Sequence, residues 1–489
     1  MKRIPTFLKV RDSLIILALI FSSIFIFCVP SSYAQQAVFR AGASTANVTP
    51  FLGDVIVGGF GVPIANHVHD ELHARTLVLD DGKVKLVFVI VDNVSINREV
   101  FDEAKRLIQE ETQIPKEHVL MSAVHTHSAT SASGAGEKRR GWNVGKPLDD
   151  YQRFLVRRMA DGVRIALNNM EPARIGWGVG NVPQHLFNRR WKMKTPVVNP
   201  FGGQDQVVMN PGVGNTNMKE PAGATDPGVS FISVQSLGGR PIAVLANYSL
   251  HYVGGLPGDH LSADYFAMFA DRVQELLKAD RQDPPFVGIL SNGTSGDVNN
   301  VDYRAPGTKY PPYAKMRLVA NDVADEVLKV YKTIQHQNWV PLTAAQSELN
   351  LKVRKPDSKM LDYAQKVLAK PDSETPVHRL EKIYAGRTMQ MQEWPDNIDV
   401  ILQTFRIGEL GIAAIPFEVF TETGLQIKAK SPFETSFTIE LANGNYGYLP
   451  TPAQHKLGGY ETWLSTNKVE TEASEKIVTE LLKLFNKLK

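Results

Sequence analysis

The stretch that most limits what this chain can fold into is Val84–Val91, together with the helix and strand predicted directly after it. Val84-Lys-Leu-Val-Phe-Val-Ile-Val91 is almost entirely apolar and β-branched. Such a run reads as a strand buried on both faces, and strands of that kind belong to sheets covered by helices. A helix is predicted from Asn97, with Val100, Phe101, Ala104, Leu107 and Ile108 on one stripe. Ile114-Pro115 ends it, and a second apolar strand begins at Val119. A strand–helix–strand unit joins parallel strands through a right-handed crossover. The expected class is therefore α/β, with mixed β-sheets built from such units and layered between helices.

In sheets of this kind ligands bind beyond the carboxyl ends of the strands. Here that edge carries Asp92 after the first strand and His125-Thr-His127-Ser128 after the second. If the second strand runs on, His125 and His127 project to the same face, because side chains alternate with period two. Two imidazoles so placed can hold a metal, or act as one ligand and one proton carrier. The His-x-His spacing alone suits an ordinary pair of loop histidines equally well. Asp92 is a candidate substrate contact. His67, His69 and His73, just upstream, read as surface or hydrogen-bonded histidines.

Further along, residues 129–147 are rich in Gly, Ser, Lys and Arg and read as a loop at the rim of that edge. Leu148 to Met170 is expected to be an amphipathic helix with Tyr151, Phe154, Leu155, Met159 and Val163 facing inward. Residues 183–228 read as a long irregular segment containing Asn188-Arg189-Arg190. Arg189 could clamp a carbonyl or anionic oxygen, although a surface arginine is the simpler reading of the sequence. Val229–Val234 and Ile242–Asn247 form a predicted hairpin, and its second strand runs into Tyr248-Ser-Leu-His251. A strand from Phe286 leads into Ser291-Asn-Gly-Thr-Ser-Gly-Asp-Val-Asn-Asn300, a polar turn where a sheet edge would meet substrate. Residues 356–396 read as two helical segments around a polar break, a possible covering insertion. Glu418 follows a strand and Pro416, where an acid suits the dipole of the coming helix without any ligand role. An amphipathic helix over about 469–487 ends the chain.

The N-terminus reads as an export signal. Lys2, Arg3, Lys9 and Arg11 precede an apolar run from Leu14 to Cys28, and Ser32-Tyr33-Ala34 is a small-x-small cleavage pattern. The run is short for a bilayer span. The expected mature chain, residues 35–489, is one large exported domain, periplasmic or secreted, with no transmembrane segment. Residues 1–34 hold four basic residues and one acidic one, so their loss brings the 54 basic and 51 acidic residues to equal numbers. A chain of zero net charge offers no electrostatic case for nucleic acid. Cys28, the sole cysteine, leaves with the signal, so the mature protein must be held by its core and not by disulfides.

The order of the motifs is more specific than any one of them. His125-Thr-His-Ser128, Asn188-Arg189, Asn247-Tyr-x-x-His251, Ser262-Ala-Asp-Tyr265, Gly296-Asp-x-x-Asn300, Pro416-x-Glu418 and Tyr448 followed by Tyr460 together resemble the neutral/alkaline ceramidase family. Ala41-Gly-Ala-Ser44, Val48-Thr-Pro50 and His69-Asp-Glu-Leu-His-Ala-Arg-Thr-Leu-Val-Leu79 extend the resemblance from about residue 40 to about residue 465. It implies a zinc enzyme that hydrolyses the amide of N-acyl-sphingosine. The zinc ligands implied are His125, His251, Glu418 and Tyr448, with His127, Arg189 and Tyr460 as neighbouring polar groups. In that scheme His127 manages protons, and Arg189 and Tyr460 stabilise the developing oxyanion.

Two departures from the family stand out. Asn299-Asn300 occupies the place of a serine and a proline, and an amide can donate to an oxyanion but cannot be a nucleophile. Asn299 is thus a candidate oxyanion donor and Asn300 a candidate substrate contact. The family's C-terminal immunoglobulin-like domain is expected to be absent. The leading expectation is a secreted zinc amidohydrolase acting on a lipid-like N-acyl substrate. The alternatives are a zinc hydrolase of the same scaffold for another amide or an ester, and a non-catalytic exported binding protein.

Overall fold

The computed structural model describes Met1, residues 38–59, 61–130, Ala132, 147–279 and 283–489. The expected export signal, Met1 aside, and most of the 129–147 loop lie outside the described residues.

Eight strands make the principal sheet: β1 (Arg40–Asn47), β2 (His73–Asp80), β3 (Lys85–Val91), β4 (Val119–Ala123), β5 (Glu171–Asn181), β6 (Gly228–Ser236), β7 (Pro241–Tyr248) and β8 (Val287–Asn292). Their spatial order is β8-β7-β6-β5-β1-β2-β3-β4. A second sheet contains β9 (Leu342–Lys352), β10 (Asn397–Ile407), β11 (Leu410–Ile415) and β12 (Thr435–Glu440), in that order.

The continuous apolar run of β3 has a simple cause. Leu86, Phe88 and Ile90 point into a core shared with Phe405, Ile412, Phe437 and Ile439 of the second sheet. Val87, Val89 and Val91 point the other way, into a core with α1 (Arg98–Thr112) and α2 (Asp150–Asn168). Alternation therefore supplies two apolar faces, each with its own covering layer. The rings of Phe88 and Phe405 meet between the sheets at 5.4 Å. The far face of the second sheet packs against the last helix, α8 (Ala473–Leu488), through Ile477, Leu481 and Phe485.

Three parallel pairs set up the site. β3 pairs with β4, with Val87 opposite Val119. β7 pairs with β8, with Ala243 opposite Val287, across α3 (Asp264–Leu277). β11 pairs with β12, with Leu410 opposite Thr435, across α7 (Thr421–Lys430). Besides a short helix at Pro452–Leu457, the further helices among the described residues are α4 (Ala314–Tyr331), α5 (Ser358–Leu368) and α6 (Glu381–Gln390). The last two account for the two helical segments expected within 356–396.

Two expectations need correction. Residues 183–228 are not structureless: Arg190–Val198, Gln204–Met209 and Met218–Pro221 form a three-stranded antiparallel sheet. These strands expose much of both faces, so they lack the apolar run that marks a buried strand. Phe154 does not face inward on α2. It is 40% exposed, while Gln152, Leu155, Met159 and Val163 are buried. Ser262 stands just before α3. Its hydroxyl accepts from the amide of Asp264, which itself has a left-handed φ of 57°.

Candidate active site

Side chains from the three parallel units meet at the carboxyl ends of their strands. His125 and His127 follow β4, His251 follows β7, and Glu418 follows β11. The strand before His125 ends at Ala123, and His125 itself is left-handed, with φ 71°. The two histidines thus meet because the chain turns at His125, not because a strand alternates through them. A non-glycine residue in that region costs about 1–3 kcal/mol and persists where its surroundings fix it. Here the amide of His125 donates to Asn93 at 3.0 Å and that of Val124 to Val91 at 3.0 Å.

The histidine tautomers can be read from their partners. Nδ1 of His125 lies 2.6 Å from the Val94 carbonyl. A carbonyl only accepts, so Nδ1 carries the hydrogen and Nε2 presents its lone pair inward. Nδ1 of His251 donates in the same way toward Ser295, 3.2 Å from its carbonyl and 3.3 Å from Oγ. Nε2 of His251 therefore also faces the cluster as an acceptor. Glu418 Oε2 lies 3.3 Å from Nε2 of His125 and 3.8 Å from Nε2 of His251. Nε2 of His127 completes the group, 3.0 Å from Nε2 of His125.

Acceptors outnumber donors at this point. Nε2 of His251 and Oε2 of Glu418 are buried, with no hydrogen-bond partner among the described residues. A lone buried acceptor is costly unless something answers it. Nitrogen and carboxylate oxygen are the donor atoms a divalent transition metal takes. His125, His127 and His251 present ring nitrogens within 4.8 Å of one another, a group that could hold a metal ion. The residues present fit such an ion. Burial and neighbouring positive groups hold His127 and His251 well below the ordinary imidazole range, so both are neutral near pH 7. Burial pushes Glu418 up, yet its neighbours, Tyr448 and Arg189 among them, draw it below the usual carboxylate range, and the carboxylate stays ionised.

Tyr448 reaches the cluster through a two-residue parallel ladder, Glu418 opposite Tyr448 and Val419 opposite Leu449. Burial drives its phenol well above the usual range, against the opposing pull of Arg189. Arg189 sits over the Tyr448 ring, with the guanidinium carbon 5.3 Å from the ring centre. Its Nε donates to Glu461 at 2.9 Å, and its Nη2 is buried with no hydrogen-bond partner among the described residues. Glu461 also accepts from Arg190 at 2.6 Å, and Arg190 is fully buried. Tyr460, half-buried, lies 5.8 Å from Tyr448, ring to ring. A cavity of 210 Å³ borders Tyr460 and Trp463 and is closed on one side by His378, Arg379 and Leu380 from within 356–396.

The half-buried ring of His127 is gripped on two sides. Tyr252 stacks on it at 3.8 Å and 15°. Gly58 backs it so closely that a Cβ there would stand 2.6 Å from its Cγ. Asp264 in turn pins the loop carrying Tyr252, accepting from the amides of Val253 and Gly254 at 3.0 and 2.8 Å.

Other residues singled out in the sequence lie elsewhere. Asp92 is fully buried and bonded to Arg75 and to the amide of His73 at 2.8 Å, so its carboxylate braces β2 against β3. Asn299 donates to Asn210 and to the Tyr303 hydroxyl at 2.9 and 2.6 Å. Asn300 donates to the Val253 carbonyl at 3.1 Å. His69 stacks on Tyr313 and His67 packs against His260, both apart from the cluster.

Four positions carry weight that sequence reasoning missed. Asp297 accepts from Asn188 and from Thr421, joining the arginine segment to the start of α7. Ser295 and Glu440 stand behind the histidines, and Glu461 holds both arginines. The Gly296-Asp297 pair and the adjacency of Glu461 to Tyr460 were the available signals. Glu440 had none beyond an acid at the end of an apolar strand.

The same architecture occurs in solved structures. The chain has the fold of neutral ceramidase. It superposes on neutral ceramidase from Pseudomonas aeruginosa with a TM-score of 0.64 at 14% identity, over 92% of this chain and 74% of that one. A ceramidase complexed with C2 gives a TM-score of 0.68 at 14% identity, over 92% of this chain and 75% of that one. No family model matches the sequence. The fold is thus shared at 14% identity. No helix among the described residues is long and apolar enough to cross a membrane.

Proposed function

We propose that this protein is an exported zinc-dependent amidohydrolase that cleaves a ceramide-like N-acyl lipid. The observation that carries the reading is the meeting of His125, His251 and Glu418, with two of their buried acceptor atoms unpartnered among the described residues, in a ceramidase fold. In this reading His125, His251, Glu418 and Tyr448 hold the metal. When bound, zinc would polarise the amide carbonyl and lower the pKa of a water to about 7. His127, neutral and half-buried at the rim, takes the proton from the attacking water and returns it to the leaving amine. Arg189 offers its buried Nη2 to the oxygen where charge develops. Tyr460, whose phenol burial keeps protonated, donates from the other side. The basic and apolar segment before residue 35 directs export.

A second reading rests on Asn299. Its amide is spent on Asn210 and Tyr303, and it cannot serve as a nucleophile. The same scaffold would then act on another amide or on an ester.

The test is the zinc content of purified residues 35–489, beside His251→Ala, followed by hydrolysis of N-acyl-sphingosine. About one zinc per chain, lost in the variant, with release of fatty acid, is the expected result. Zinc without ceramide cleavage would favour the second reading. A protein that takes up no zinc on reconstitution refutes both.

A further inference from the structure

Behind the metal-facing atoms stands a carboxyl group outside the proposed ligand set. Glu440 is the last residue of β12 and is fully buried. Its Oε1 accepts from the Ser295 hydroxyl at 2.7 Å. Its Oε2 accepts from the amide of Val419 at 2.7 Å and from the amide of Ser295 at 3.3 Å. One side chain therefore ties two loops together. The first, after β8 of the principal sheet, brings Ser295 beneath His251. The second, after β11 of the second sheet, carries Glu418 next to Val419.

The chemistry of each contact is directional. Because Ser295 gives its only hydroxyl hydrogen to Glu440, its Oγ is left as an acceptor toward Nδ1 of His251. The Ser295 carbonyl is a second acceptor for the same N–H. This fixes the His251 hydrogen on Nδ1 and aims the Nε2 lone pair into the cluster. On the other branch, the hold on the Val419 amide fixes the backbone from which the Glu418 side chain departs. The pairing of Ile415 with Glu440 in the β11–β12 ladder sets where that hold falls.

We propose that Glu440, acting through Ser295 and Val419, is a positioning residue that sets the tautomer of His251 and the separation of His251 from Glu418. The proposal rests on the metal reading above and extends it to a residue that touches neither ion nor substrate. Outer partners of metal ligands typically change affinity by about 10- to 100-fold when altered.

Glu440→Gln keeps the volume of the side chain and can still accept from both amides. Its NH₂ then faces Ser295 Oγ as a donor, and the hydroxyl loses its acceptor. Zinc affinity would be measured by chelator competition on metal-free mature protein, with the cobalt(II) absorption spectrum as a readout of ligand geometry. The expected result is a zinc Kd weaker by about 10- to 100-fold and an altered cobalt spectrum, at a metal-free melting temperature near that of the wild type. A residue that only stabilises the fold would shift the melting temperature and leave the cobalt spectrum alone. A Kd within about twofold of wild type with a superimposable spectrum overturns the proposal and leaves the metal reading standing. Should the variant fail to fold, Ser295→Ala decides by the same threshold, because it removes only the hydroxyl between Glu440 and His251. A wild-type protein that binds no zinc removes the proposal and the metal reading together.

Discussion

Two buried polar clusters lie side by side in this site and are built on opposite rules. Around Glu461, the carboxylate is answered: its two oxygens take Arg189 and Arg190 at 2.9 and 2.6 Å, Arg190 also donates to the Gly458 carbonyl at 2.7 Å, and Nη2 of Arg189 is left without a partner among the described residues. Around Glu418, acceptors face acceptors, and Oε2 of Glu418 and Nε2 of His251 have no partner among the described residues. Both acids are buried. The difference teaches how to tell a brace from a binding site when both are polar and dry. A brace pairs its groups with one another, whereas a binding site leaves them for something that arrives later.

The contrast is sharpest where a brace is cut. Glu461→Leu strands two guanidinium groups in the interior, and breaking a buried pair from one side costs about 3–5 kcal/mol. Urea denaturation of the metal-free variant should show a loss of that size. A loss below about 1 kcal/mol would mean that the arginines find other partners and that the cluster is no brace. Gly296→Ala comes next. A methyl group there would stand 2.6 Å from the Glu418 carbonyl oxygen, and overpacking against backbone costs about 1–3 kcal/mol. Because the clash bears on Glu418, zinc affinity should fall together with stability. An unchanged affinity would show that the open cluster tolerates movement of its acid.

Gly58→Ala acts on the open cluster alone. It sets a methyl group against the His127 ring at a backbone φ of 147°, and turnover should fall on the order of 10- to 100-fold with folding intact. Metal content in this variant separates two roles for His127. It stays at wild-type level if the ring only moves protons, and it drops if the ring is a ligand.

The smallest effect concerns a buried cation between the two extremes. Lys105 donates to Asn443 at 2.7 Å, and burial lowers its pKa to about 7. In the unfolded chain its ordinary value is near 10.5, so between these two values the unfolded state binds the proton that the folded state has released. Stability must therefore fall as pH drops through this window and rise as pH climbs, by about 1 kcal/mol from pH ~7 to pH ~8. Lys105→Met should flatten that rise, which urea midpoints at several pH values would reveal.

How much of this was legible in the sequence depends on what each segment hides. The β3–α1–β4 unit was plain, because β3 is apolar on both faces and the helix after it carries a clear apolar stripe. The hairpin ending in His251 was plain from its two apolar runs and the glycine turn between them. The three-stranded sheet within 183–228 was not, because a half-exposed antiparallel strand such as Gln204–Met209 buries only Asp205 and Val207. Proximity of His125, His251 and Glu418 came from ordered motifs, not from any local pattern. The left-handed turn at His125 and the grip of Glu440 on two loops depend on contacts made by distant segments, and no window of neighbouring residues encodes them. Asp92 misled for a related reason: an acid at a strand's carboxyl end looks catalytic until its arginine partner, seventeen residues earlier in the chain, is seen beside it.

The short ladder that sets Glu418 opposite Tyr448 has one further consequence. The groups that converge here come from positions spread between His125 and Tyr448, on two different sheets, and no short fragment contains them all. Contacts of such long range form late and cooperatively. A nascent or partly folded chain consequently lacks the constellation and cannot sequester a cation through it. Completion of the site is in this sense a report that both sheets have docked, and a cation that binds only then stabilises the finished fold by mass action.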